Sequence, residues 1–133
     1  MPEDMQAHNR QVIDDFRTNG APAGRQLLLL TTTGAKSGEK RTTPLMYVPD
    51  GDRLLIIAAN AGAARHPDWF HNLVAHPAVR VEVGAEDYAA HATVLAGAEH
   101  STVFDRISTD YPFFAEYQKK VERTIPVVAL THF

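Results

Sequence analysis

Gly34, Lys36, Gly38, Lys40 and Arg41 fall within eight residues, between two runs that read as strands, "RQLLLLTTT" (25–33) and "RTTPLMYVP" (41–49). Three cations and two glycines on one hairpin turn are suited to holding an anion. Glycine lets backbone N–H groups turn toward one point, lysine adds a compact charge, and a planar guanidinium grips two oxygens at once. The string "GAKS" is not a nucleotide-binding P-loop, because Ala35 stands where that motif needs a glycine and a strand, not a helix, follows. A solvated polar turn has the same composition, so the loop alone leaves both readings open.

Other chemistry is sparser than seven histidines suggest. His66, His71 and His76 are spaced by five, which turns successive side chains away from one helical face, and no metal is expected. Ser37, Ser101 and Ser108 lack the frame of a nucleophile elbow. Trp69, one residue past a helix start favourable to anions, reads equally as a core aromatic or as a shelf for a planar ligand. Tyr111, Phe114 and Tyr117 recur every three residues, close to one helical face, which suits core packing or one wall of a pocket.

The elements that must carry these residues follow from periodicity. Val12, Ile13 and Phe16 share a face of a short amphipathic helix, and "GAPAG" (20–24) reads as a linker, giving an N-terminal arm over 1–24 ahead of a domain over 25–133. "DG" at 50–51 marks a turn into "RLLIIAAN" (53–60), so the first three runs form a meander. "RHPDWFHNLVAHP" predicts a helix with Trp69, Phe70, Leu73 and Val74 as its apolar stripe. Val79, Val81 and Val83 alternate with polar residues and pair with "DYAAHATVLAG". A helical region from about Ala98 to Val121, broken near Pro112, precedes a last strand, "IPVVAL". About six mostly antiparallel strands with short helices define a mainly β, α+β class and a small closed barrel whose interior is filled. A ligand must then lie on its surface or between helices and strands.

Composition narrows the partners. At 133 residues the chain suits one core; its net charge of −3 argues against coating nucleic acid, so the basic loop acts locally. With no cysteine, thiolate chemistry and iron–sulfur clusters are excluded and a reducing compartment is permitted. The polar N-terminus and the lack of a long apolar run predict a cytoplasmic protein without a membrane span, with peripheral membrane contact through the arm left open.

In order, "TTTGAKSGEKRTTPL", "DGDRLLIIAANAG", "HPDWFHNLVAHPAVRVEV" and "YPFFAEYQKKVERTIPVVAL" resemble the deazaflavin-dependent nitroreductase family, which uses coenzyme F420, from about Leu27 to Leu130. The resemblance implies a split β-barrel of the FMN-binding-like kind. It implies that Lys36, Ser37, Gly38, Glu39, Lys40 and Arg41 cradle the coenzyme's phosphate and acidic tail. Ala58, Ala59 and Asn60 match the strand end beside the deazaflavin ring, and Arg65, His66, Pro67, Asp68 and Trp69 the helix start beneath it. Met46, Asn60, Tyr111, Phe114 and Tyr117 match the substrate pocket, with Tyr111 and Tyr117 as candidate proton donors. The implied reaction is hydride transfer from reduced F420 to a small electron-poor acceptor such as a quinone, an enone or a nitro compound. Two rivals remain on the same barrel: a non-catalytic lipid or fatty-acid carrier, and an oxidoreductase that binds FMN.

Overall fold

The computed structural model describes residues 2–21 and 26–133. The elements are α1 (Pro2–Asn19), β1 (Leu27–Thr33), β2 (Lys40–Met46), β3 (Val48–Asp50), β4 (Arg53–Ile57), a 3₁₀ turn (Asn60–Gly62), α2 (Asp68–Ala75), β5 (Ala78–Val83), β6 (Glu86–Val94), α3 (Gly97–Asp110), α4 (Phe113–Lys120) and β7 (Val127–His132). Every ladder is antiparallel, and the seven strands run in the order β2-β1-β5-β6-β7-β4-β3. The sheet curls, because β2 and β3 stand at opposite ends of that order while only Tyr47 separates them in the chain.

This bend corrects two expectations. The run 41–49 is two strands, which raises the count from six to seven. The first three runs are not a meander either: β2 pairs with β1, β3 with β4, and the next neighbour of β4 is β7. The turn at "DG" holds as read. Gly51 has φ 62°, and Asp50 faces Arg53 across a two-residue loop, a geometry glycine adopts without the Cβ clash.

Alternation along the strands sorts side chains onto two faces. Leu28, Leu30, Ile56, Val79, Val81, Ala90, Ala92, Val128 and Leu130 fill the barrel, and Trp69 and Leu73 of α2 close one end. On the outer face Leu55, Val127 and Ala129 pack under α3 and α4 against Val103, Phe104, Ile107 and Phe114. Each fully buried leucine or isoleucine contributes about 1.5–3 kcal/mol relative to exposure. The stripe expected on α2 is narrower than read, since Val74 is 56% exposed. The expected break near Pro112 does separate α3 from α4.

α1 lies on the outer face. Phe16 is buried, and Arg17 donates from Nε (3.1 Å) and Nη2 (2.9 Å) to the two carboxylate oxygens of Glu82. The Gly20 N–H, with φ 79°, closes the helix on Phe16 O at 2.8 Å. Residues 22–24 of the stretch read as a linker (20–24), and residue 25 of the first expected strand, lie outside the described residues.

The β3–β4 hairpin is tied to α3 through Asp50, which accepts from Arg53 Nε (2.8 Å) and Arg106 Nη2 (3.0 Å), while Arg53 Nη2 reaches Glu99 at 3.4 Å. The Arg53 hydrogen bond, against burial and aided by Arg106, holds the Asp50 carboxyl below its ordinary value of 3.8. A folded value below the unfolded one makes this contribution complete above about pH 4 and lost as pH falls through the depressed value. Asp50→Asn is expected to lower stability at pH 7 by about 1 kcal/mol and to flatten the acid limb of a melting-temperature profile; parallel limbs in the two proteins would refute the assignment.

Candidate active site

The basic turn is built by accounting for its own backbone. Gly34 is buried; its N–H donates to Glu39 O (2.7 Å), and the Gly38 N–H donates to Gly34 O (3.0 Å). The Ala35 N–H goes to Asn72 Oδ1 (3.0 Å) and the Glu39 N–H to Ser37 Oγ (3.1 Å). A Cβ at Gly34 would collide with Ser37 Oγ and sit 3.3 Å from Glu39 O, and Gly38 holds φ 73°. The glycines therefore do not aim their own N–H groups at a ligand, as the sequence suggested; they let the turn fold on itself. The amides left without an acceptor among the described residues are those of Lys36 and Ser37.

Every side chain from Lys36 to Arg41 is exposed. Lys40 Nζ donates to Thr33 Oγ1 (2.8 Å), and Arg41 Nη2 rests 3.3 Å from Glu39 Oε2. Lys36 has no carboxylate partner among the described residues. Asn72, which the sequence reading missed, joins this turn to α2: it accepts from Ala35, and its Nδ2 donates to Thr32 Oγ1 (3.2 Å).

Ala58, Ala59 and Asn60 were read as a strand end, but β4 stops at Ile57. Ala58 and Ala59 are buried, and Asn60, Ala61 and Gly62 then take φ values of 50°, 53° and 81° in succession. Left-handed backbone at a residue with a Cβ costs on the order of 1 kcal/mol, so something must hold it. Asn60 Nδ2 donates to Arg65 O (3.0 Å), and Gly62 packs under the Tyr117 ring, where a Cβ would lie 3.1 Å from Cδ1.

The strongest restraint is Arg123. Its Nε donates to Ala63 O (3.1 Å), Nη1 to Ala58 O (3.1 Å) and His66 Nδ1 (2.9 Å), and Nη2 to Ala59 O (2.9 Å) and Ala63 O (3.0 Å). Burial lowers the Arg123 pKa, yet a guanidinium remains charged at any ordinary pH. His66 is held below its ordinary 6.5, first by burial and then by the Arg123 and His71 charges. Its ring lies 4.7 Å from that of Phe70 and 5.6 Å from that of His71.

Pro67 precedes the first turn of α2, where Asp68 is exposed and complements the helix dipole. Trp69, in contrast, is 7% exposed in the barrel core, so its ring packs with Leu73 and the strands. The aromatic set divides similarly. Phe114 is buried in the outer core, while Tyr111, Tyr117 and Met46 are half-buried against that core. Phe113, not singled out from the sequence, is 43% exposed and lies 5.8 Å from Tyr117, ring to ring. Met46 pairs with Leu27 and so shares the face of Leu27 and Pro44, which line a cleft of about 720 Å³ beneath Val12 and Phe16 of α1. Among the described residues no cluster of His, Asp or Glu could hold a metal ion.

A curled, seven-stranded antiparallel sheet with helices packed on its outer face is the architecture of the split-barrel class. The family model described as F420H(2)-dependent quinone reductase matches residues 8–132, and the chain belongs to that family. An F420H(2)-dependent quinone reductase of Mycobacterium tuberculosis is 39% identical over 120 residues, 86% of this chain and 77% of that one. A solved F420-H2 dependent reductase is 39% identical with a TM-score of 0.71, covering 80% of this chain and 94% of the other. A second structure, described as a domain-swapped dimer, is 34% identical with a TM-score of 0.74 over 98% and 99%. The heme storage protein HutZ of Vibrio cholerae, 14% identical with a TM-score of 0.61, shares the fold alone. Coenzyme F420 is the cofactor of the family, and the resemblance read as nitroreductase narrows to quinone reductase. The unspent amides of Lys36 and Ser37 and the exposed cations around them fit its anionic part.

Asn72→Ala removes two hydrogen bonds and leaves the hydroxyl of Thr32, which is 1% exposed, without its partner. It is expected to destabilise the chain by about 1–3 kcal/mol in urea unfolding and to increase amide exchange over 34–39. Unchanged exchange there would show that α2 does not anchor the turn.

Proposed function

We propose that the chain binds reduced F420 with its phosphate and acidic tail on the Lys36–Arg41 turn and reduces a quinone on the outer face of the barrel. The observation that carries this reading is that, among the described residues, the Lys36 and Ser37 amides have no acceptor and Lys36 has no carboxylate partner. Reduced F420 supplies a hydride, and a quinone that takes it with one proton leaves as hydroquinone. Lys36, Ser37, Lys40 and Arg41 bind the anionic part, and Gly38 and Glu39 shape the turn that presents them.

The turn after β4 lies beside the ring, with Asn60 as its exposed member and the buried Ala58 and Ala59 anchoring it to the two cores. Arg65, His66, Pro67 and Asp68 form the polar border at the start of α2, and Trp69 supports that border from the core. Met46, Tyr111 and Tyr117 line the acceptor side, with Phe114 behind them. The cleft under α1 continues the same face and offers a quinone an apolar approach. Tyr111, Tyr117 or water supplies the proton. We place the enzyme in the cytoplasm; among the described residues no helix is long and apolar enough to cross a membrane.

Titration of the chain with F420, FMN and fatty acids in parallel separates the three ligand classes, with tight binding of F420 alone expected. Lys36→Ala with Arg41→Ala is expected to weaken F420 binding roughly tenfold to a hundredfold at low salt, with the fold intact. Glu39→Gln frees Arg41 from its internal partner and is expected to tighten binding severalfold, at about 0.5–1 kcal/mol for an exposed pair. Unchanged affinity in both variants would remove the anion from this turn. Tyr117→Phe and Tyr111→Phe are expected to change quinone turnover more than F420 affinity in steady-state kinetics; altered melting with unchanged kinetics would make both residues structural.

A further inference from the structure

Arg123 carries no chemistry in the proposed reaction, yet among the described residues no other side chain makes as many hydrogen bonds. A guanidinium has five N–H donors, and here five hydrogen bonds run to three carbonyls and one imidazole nitrogen. All four acceptors lie within Ala58–His66, the segment that reverses through three left-handed residues. The backbone that carries Arg123 is held in turn by Gln118 of α4, whose Nε2 donates to Arg123 O (2.7 Å) and whose Oε1 accepts from the Ile125 N–H (2.8 Å). α4 also carries Tyr117, which packs on Gly62.

An arginine cannot accept a hydrogen bond, so His66 Nδ1 at 2.9 Å must be the acceptor and must carry no proton. A neutral imidazole with a bare Nδ1 holds its proton on Nε2. We propose that Arg123 is the positioning residue of this site: it holds the Ala58–Arg65 turn in its left-handed form and fixes His66 as the neutral Nε2–H tautomer. His66 then presents a single N–H donor at the start of α2, pre-oriented for a carbonyl or oxyanion of the bound cofactor or quinone. This role for His66 rests on the placement of the F420 ring beside Ala58–Asn60 given above; the tautomer lock itself does not.

The lock is read without any cofactor. Nitrogen-15 NMR of the histidine side chains is expected to show His66 as the Nε2–H form in the native chain. Arg123→Lys, whose single ammonium cannot span four acceptors, is expected to give a mixture of tautomers, as is Arg123→Gln. His66→Asn keeps an amide oxygen near the Nδ1 position for Arg123 but lacks the outward N–H. It is expected to leave melting within a few degrees of the native chain while lowering kcat with a quinone about tenfold or more, with F420 affinity changed less than about threefold.

Both Arg123 variants are expected to lower kcat by at least as much, and Gln118→Glu, which keeps the acceptor for Ile125 but not the donor for Arg123 O, by less. A single Nε2–H tautomer persisting in both Arg123 variants would overturn the lock. Native kinetics in His66→Asn would overturn the donor role. Failure of the native chain to bind F420, with the NMR result as expected, would overturn the ring placement and leave the lock standing.

Discussion

Five hydrogen bonds from one guanidinium to the segment Ala58–His66 are the constraint on which the rest of the site depends. Two non-glycine residues in left-handed backbone, Asn60 and Ala61, would relax if released. Charge-assisted bonds to carbonyls contribute more than neutral ones, and a half-buried arginine that satisfies every donor repays its own desolvation. Because the turn is fixed, Pro67 and Asp68 start α2 at one place, and Asn72, one turn further on, reaches Ala35 of the basic turn. In the other direction, Gln118 ties the clamp to the helix bearing Tyr117. The cationic turn, the start of α2 and the helix bearing Tyr117 are thus linked by hydrogen bonds and not by packing alone.

The barrel gives that chain of contacts a rigid base. Its inner and outer faces are both closed by apolar residues, Leu28 and Leu30 inward and Leu55, Val127 and Ala129 outward, so the strands have little freedom to shift register. The bend at Tyr47 lets one stretch of chain serve both ends of the strand order. That same bend puts Met46 on the outer face, between the part covered by α1 and the part covered by α4. In the proposed arrangement, an acceptor site between two helices on a fixed sheet would vary in shape through the helices while the cofactor stayed referenced to the barrel.

What the sequence disclosed was local. Hairpin turns at "DG" and the basic loop, alternation in "VRVEV", and the proline-started helix at Asp68 each carry their signal within a few residues, and each appears where it was read. The bend at Tyr47 carries none, since a β-branched and aromatic run has the same period whether it pairs with one neighbour or two. The committed amides of Gly34 and Gly38 were also invisible, because composition shows that N–H groups can turn but not which carbonyls already hold them. Trp69 at a helix start looked equally like shelf and core; the stripe it shares with Leu73 settles it into the barrel. Arg123 sits in "KKVERTIP", an unremarkable charged stretch, and its partners lie 57 to 65 residues away. The one clue was "NAGA", a turn-prone string with too few side chains to hold itself.

A net charge of −3 does not oppose the proposed anion site. At physiological salt a field of that size is screened beyond about 8 Å, so the turn is governed by its immediate neighbours. There, Glu39 occupies Arg41 and Thr33 steadies Lys40, while Lys36 and the amides of Lys36 and Ser37 have no partner among the described residues. A small anion meeting that site gains one ammonium and must compete with a tethered carboxylate for the guanidinium. An anion with several charged groups along its length can satisfy the amides and Lys36 with one group and displace Glu39 with the next, at the cost of a single exposed ion pair worth under about 1 kcal/mol. An internal carboxylate in a cationic turn therefore costs an extended polyanion a factor of a few in affinity at most, and it lowers the gain of a short anion at Arg41 by the same modest factor. In the proposed complex, Glu39 would thus favour a ligand whose successive charged groups reach both Lys36 and Arg41.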